Sequence, residues 1–247
     1  MISDTNKTPW RMWGTVGWGL LIAVAFIIIQ GFVLAGFVAR EVAKNPDADI
    51  IVAAKGLEAN GFVMALATLV TTPFCIGLIV LLVRLRKGPT IPRYLGLKMI
   101  AWQTMLFWLG IVVIFALFAE LLAHLAGEPF MPDFMVETYT TAYFPPLFWI
   151  ALIVAAPLFE EVFFRGFLFE GFQRSRAGAI GAIFLTALSW TILHVQYGGY
   201  ELGTILALGV IFGVARWKTQ SIYPPLAMHS LFNLLAMAQL VFYLGRA

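Results

Sequence analysis

Apolar residues run along this chain in long uninterrupted blocks, and polar residues gather in the gaps between them. Neither the alternation of a half-buried strand nor the one-sided stripe of a soluble amphipathic helix is present. Blocks of this length are read as helices crossing a bilayer, since about 20 apolar residues cover a ~30 Å hydrocarbon core. Seven spans are predicted, at 13–39, 61–84, 101–125, 145–172, 178–196, 203–217 and 224–244. The sixth is the shortest and is expected to be buried among other helices. Gly209 and Gly213 give that span a GxxxG pair suited to close helix contact. The fold class expected is therefore all-α, a polytopic transmembrane helical bundle of about seven spans. Residues 1–12 would form a cytoplasmic N-terminal tail and 13–247 a single membrane domain.

Composition agrees with the pattern. Of 247 residues, 61% are hydrophobic and 12% charged, about half the ~25% charge of a soluble domain. Mean hydropathy is +0.90. The lone Cys75 allows no intrachain disulfide. The first apolar run is too long for the core of a cleavable leader.

Charge is modest in sum, +3, and informative in placement. Arg84, Arg86, Lys87, Arg93 and Lys98 follow the second span, Arg174 and Arg176 the fourth, and Arg216 and Lys218 the sixth. The 127–144 segment has no Lys or Arg, and 197–202 carries only Glu201. The alternation places the N-terminus, with Lys7 and Arg11, in the cytoplasm. Segment 40–60 fits this least well, because Arg40, Lys44 and Lys55 lie on the outer side, offset by Glu41, Asp47, Asp49 and Glu58. Such flanking charges mark cytoplasmic loops, and no nucleic-acid partner is expected.

One stretch breaks the apolar rule. Pro157-Leu-Phe-Glu-Glu-Val-Phe-Phe-Arg-Gly166 puts Glu160, Glu161 and Arg165 inside a span. A carboxylate at bilayer depth costs about 2.5–3.5 kcal/mol on insertion scales, so it needs a partner or a task. Glu161 and Arg165 have i,i+4 spacing in the favourable acid-first order. Glu160, turned about 100° away, is left to face a wet cavity. Two further spans add His194, closing Trp190-Thr-Ile-Leu-His194, and His229 with Asn233 in His229-Ser-Leu-Phe-Asn233. Singly, each is a routine interhelical or interfacial residue. Together, six polar groups from three spans must converge in the bundle or remain unsatisfied. Convergent titratable groups in an apolar hollow mark an active site. His124 and Glu120 read as a local interfacial pair and are set aside.

The residue types suit activation of water. Glu160 would be the general base, one imidazole would orient the water, and the other imidazole with the Asn233 amide would donate to an oxyanion. Glu160, His194 and His229 would equally serve as ligands of a divalent metal such as zinc. Neither a nucleophile elbow nor an HExxH helix is present.

Glu160-Glu161-x-x-Phe164-Arg165-Gly166, then His194, then His229-x-x-x-Asn233 resemble the three signature motifs of the CPBP intramembrane proteases. This is the family of the CAAX prenyl proteases of the Ras-converting-enzyme type and of bacterial Abi proteins. The resemblance covers about 145–240. It departs at Trp190, where the family usually has Phe, which bears on pocket shape more than on chemistry. The resemblance implies a helical bundle with the site inside it, an eighth span being present in some members, and a peptidase acting on a membrane-associated, CAAX-like substrate. It implies that Glu160 and His194 hold the catalytic water, that His229 and Asn233 stabilise the oxyanion, and that Glu161 and Arg165 support them. Both metal-dependent and glutamate-based schemes have been argued for the family. A bacterial inner-membrane location is expected. The alternatives are a non-catalytic membrane protein, such as a self-immunity factor or scaffold, and a small-solute or proton-coupled transporter. One conflict stands: on straight helices, Glu160, His194 and His229 fall at different depths, so a break near Gly198-Gly199 or Pro224-Pro225 is expected.

Overall fold

The computed structural model describes residues 10–86 and 88–245. Most of the expected N-terminal tail, 1–9 with Lys7, lies outside the described residues, as does Lys87. All regular structure among the described residues is helical. Ten helices follow in order: α1 (Met12–Lys44), α2 (Ile50–Glu58), α3 (Gly61–Leu85), α4 (Ile91–Leu95), α5 (Trp102–Ala126), α6 (Asp133–Thr140), α7 (Pro145–Gln173), α8 (Gly178–Ile192), α9 (Gly199–Thr219) and α10 (Tyr223–Leu244). Among the described residues, six (α1, α3, α5, α7, α9 and α10) are long and apolar enough to cross a membrane. The chain is an integral membrane protein built as a polytopic helical bundle.

Two expected spans need correction. The fifth, read as 178–196, stops at Ile192 after 15 residues. At ~1.5 Å per residue it is about 22 Å long, less than the hydrocarbon core. Residues 193–197 continue as tight turns, with the Leu193 and His194 amides bonding the Trp190 and Thr191 carbonyls. The sixth, read as a short 203–217, is the full 21-residue α9. Its start at Gly199 lies earlier than the apolar run because Tyr200, Glu201 and Thr204 are tolerated in the first turns. Hydropathy drew the boundary in the wrong place at both ends of one linker.

Three segments between the expected spans contain helices: 40–60 (α2), 84–98 (α4) and 127–144 (α6). Asp49 caps α2 by accepting from the Ile51 and Val52 amides at 2.7 and 3.3 Å. On the same side, α6 packs near the start of α3, where the Gly61 amide donates to Thr141 Oγ1 at 2.9 Å.

α7 is the central helix. Half of its apolar window is buried, against 11% for α1 and for α5. Its aromatic side chains fill the core: Phe159 stacks on Phe163 and on Phe26 of α1, with centroids 5.7 and 4.9 Å apart, and Phe167 stacks on Tyr94 of α4 at 5.8 Å. α8 and α9 pack at close range, as the GxxxG pair anticipates. A Cβ on Gly209 would lie 3.0 Å from Ala187 Cα. A side chain there would need the facing backbone to give by a few tenths of an ångström.

Candidate active site

α7 carries the acidic end of the site, and Pro157 lies between two widened stretches of it. The stretches Ala151–Ala155 and Glu161–Leu168 are π-helical, separated by one α-helical turn, Ala156–Glu160. A proline ring crowds the preceding turn and supplies no amide hydrogen, which widens or kinks a helix. In the wider register the Ala156 amide bonds the Ala151 carbonyl, five residues back. The next amide in that register would be that of residue 157, donating to Leu152. Proline has none to give. Asn233 of α10 supplies the donor instead, its Nδ2 reaching the Leu152 carbonyl at 2.8 Å. π-turns are rare and recur at functional sites.

Glu161, fully buried, is the hub of the charged network. Its Oε1 accepts from Arg165 Nη1 at 3.0 Å and lies 2.9 Å from His229 Nδ1. Arg165, equally buried, also donates from Nη2 to the Gly209 carbonyl at 3.2 Å. Its guanidinium faces the rings of Trp190, Phe212 and Phe164 at 4.8, 5.4 and 5.9 Å. These aromatic faces stabilise a cation withdrawn from water.

Glu160 is placed differently. Its side chain keeps 21% exposure, and its Oε2 accepts the indole N–H of Trp190. The same oxygen stands 3.9 Å from His229 Nε2. That distance is too long for a direct hydrogen bond and is one that a bridging water closes. His229 therefore sits with one nitrogen against Glu161 and the other facing Glu160. With Nδ1 donating to a carboxylate, a neutral His229 presents the lone pair of Nε2 to the site.

His194 lies in the turn after α8, with Nδ1 2.9 Å from the Trp190 carbonyl. Its ring is 5.1 Å from the Trp190 ring and 6.3 Å from Tyr197, nearly parallel to the latter. The Trp190 ring is 5.2 Å from His229 on its other side. The short α8 bears on the depth conflict: a helix that ends about one turn early, at Ile192, leaves His194 in a turn beside the indole ring that also lies against His229. The break falls at Gly198, just before α9. Pro224-Pro225 instead opens α10, where missing amides cost nothing.

Five side chains thus form one contiguous network: Glu160, Glu161, Arg165, His229 and Trp190. His194 joins it through Trp190, and Asn233 joins through the α7 main chain. Trp190 is the functional residue that the sequence reading undervalued. It changes chemistry as well as shape, because an indole offers a donor that Phe lacks. Its position four residues before His194, under a carboxylate-bearing helix, was the available signal. Glu120 does not pair with His124; it accepts from Gln239 of α10 at 2.9 Å. Just outside the spans, burial together with the facing carboxylates of Glu160 and Glu201 pushes the Tyr197 phenol up to about 12.

A catalytic zinc takes three protein ligands around one point. Among the described residues no three His, Cys, Asp or Glu side chains gather in that way, and Glu160 Oε2 is engaged by Trp190.

Residues 142–235 match the family model described as Type II CAAX prenyl endopeptidase Rce1-like. All six residues singled out from the sequence fall within that segment. No curated protein and no solved structure matches the chain. Over residues 142–235, well under half of the chain, the sequence is thus similar to the Rce1-like endopeptidases.

Proposed function

We propose that this protein is an endopeptidase that hydrolyses a peptide bond of a membrane-associated, CAAX-like protein or peptide, with water activated by Glu160 and histidine. The observation that carries this reading is the facing of Glu160 Oε2 and His229 Nε2 at 3.9 Å, with Glu161 and Arg165 locked behind the imidazole.

A water between these atoms donates one hydrogen to Glu160 and the other to His229 Nε2, which aims an oxygen lone pair at the scissile carbonyl. The new C–O bond forms as Glu160 takes a proton. The second N–H of the Asn233 amide is the neutral donor nearest in kind to an oxyanion contact. Glu160 then returns the proton to the leaving nitrogen as the C–N bond breaks. His194 flanks the same indole with Nε2 free of protein partners, which supports its expected share in holding the water. The basic 84–98 segment, two spans after the N-terminus, supports a cytoplasmic N-terminus, and a bacterial inner membrane is the setting we propose.

The test is cleavage of a farnesylated C-terminal CAAX peptide by the purified full chain in liposomes, followed by mass spectrometry with and without hydroxylamine. Two hydrolysis products and no hydroxamate are expected. Absence of cleavage would overturn the substrate class, and a hydroxamate would overturn direct attack by water.

A further inference from the structure

The two widened turns of α7 are held from outside. Three of their carbonyls accept side-chain donors, each from a different helix: Leu152 from Asn233 of α10, Ala155 from Thr72 of α3 at 3.1 Å, and Arg165 from Arg216 of α9 at 2.8 Å. Thr72 is buried and lies outside the family-matched segment, in a helix where no motif was read.

Arg216 is an expensive donor. It is 1% exposed and sits 3.6 Å from Glu170 Oε2, over the Phe169 ring at 5.3 Å. Its guanidinium fills the space beside Gly96, which has φ +71; a Cβ there would lie 2.8 Å from it. The chain thus desolvates a full charge, pairs it with Glu170, and sets its Nε–H on the Arg165 carbonyl. The relation with Arg165 is reciprocal. Arg165 on α7 donates to the Gly209 carbonyl of α9, and Arg216 on α9 donates to the Arg165 carbonyl.

The placement of these bonds matters because of what a π-turn does. Relaxing one to α geometry slips the register by a residue, turning the following side chains by about 100°. One widened stretch ends five residues before Glu160, and the other opens on Glu161. We propose that Thr72 and Arg216 are positioning residues: by bonding the Ala155 and Arg165 carbonyls, they fix the rotation at which Glu160 and Glu161 meet His229. The effect on rate rests on the proteolytic reading above; the effect on geometry does not.

Thr72→Val keeps shape and removes the donor, and Thr72→Ser keeps the donor. On the farnesylated peptide, Thr72→Val is expected to lower kcat roughly 10- to 100-fold with KM within about twofold. Thr72→Ser restores most of the rate, and Arg216→Met behaves as Thr72→Val or worse. The chain has only three histidines, so imidazole-¹⁵N NMR resolves His229 separately. Its signals should move in Thr72→Val and return in Thr72→Ser, while those of His124 stay fixed. Wild-type kcat and unchanged His229 signals in Thr72→Val would overturn the proposal, as would a loss of rate that Thr72→Ser does not rescue. If the wild type cleaves nothing, the proteolytic reading falls, and the His229 signals alone decide: movement supports the positioning role and constancy overturns it.

Discussion

Glu161 and His229, 68 residues apart in sequence, meet at 2.9 Å in the centre of the bundle, and the same carboxylate oxygen holds Arg165 at 3.0 Å. One carboxylate therefore serves two helices. Removing one partner of a buried ion pair strands the other, at a cost of about 3–5 kcal/mol. Arg165→Met is expected to lose stability on that scale in detergent thermal unfolding. Arg165→Met with Glu161→Gln should regain much of it while remaining inactive. Equal stability of Arg165→Met and wild type would show that the pair is not needed to hold α7.

Trp190 separates ring packing from hydrogen bonding in one substitution. Trp190→Phe keeps an aromatic ring between His194 and His229 and removes the donor to Glu160. A hydrogen bond to a charged group contributes about 1.5–3 kcal/mol, so the unfolding temperature should fall, and loss of the bond that orients Glu160 should lower kcat roughly tenfold or more. Wild-type kinetics in this variant would show that Glu160 keeps its orientation without the indole.

Asn233 and Pro157 should be coupled, since the amide fills a place that proline leaves empty. Asn233→Leu is expected to cost about 1–2 kcal/mol by leaving the Leu152 carbonyl unpaired. In a Pro157→Ala background the main chain can supply its own donor, and the same substitution should cost much less. A double-mutant cycle on unfolding free energies measures the difference. Additive effects would break the link between the two residues.

The Tyr197 phenol is raised to about 12 by burial and by the carboxylates of Glu160 and Glu201. The folded state thus holds its proton more firmly than the unfolded chain, whose phenol titrates near 10. Its contribution to stability is complete below about pH 10 and is lost as pH rises through about 12. Ultraviolet difference titration of wild type against Tyr197→Phe should show no tyrosinate from this residue at pH 10. Ionisation at the ordinary value would show that the phenol is free of those neighbours.

Much of this architecture was legible in the chain because bilayer depth penalises polar groups so heavily. The apolar blocks located α3, α5 and α10 within a residue or two, and three charges in one block marked α7. What stayed hidden depended on backbone register. Hydropathy cannot tell an α-turn from a π-turn, so the partnership of Asn233 with Leu152, and the reach of Thr72 and Arg216, were unreadable. It also could not see that α8 ends at Ile192, since Leu193 and Val195 are as apolar as the helix before them. Trp190 was legible as an aromatic and not as a donor, because its acceptor lies 30 residues away in sequence.

The most direct test is the turnover of purified, reconstituted Glu160→Gln on the farnesylated peptide, compared with wild type at matched thermal stability. A folded protein with turnover lower by roughly 10²–10⁴-fold is expected for loss of a general base. A folded Glu160→Gln protein that cleaves at the wild-type rate would contradict the assignment of Glu160 and the water-activating role built on it.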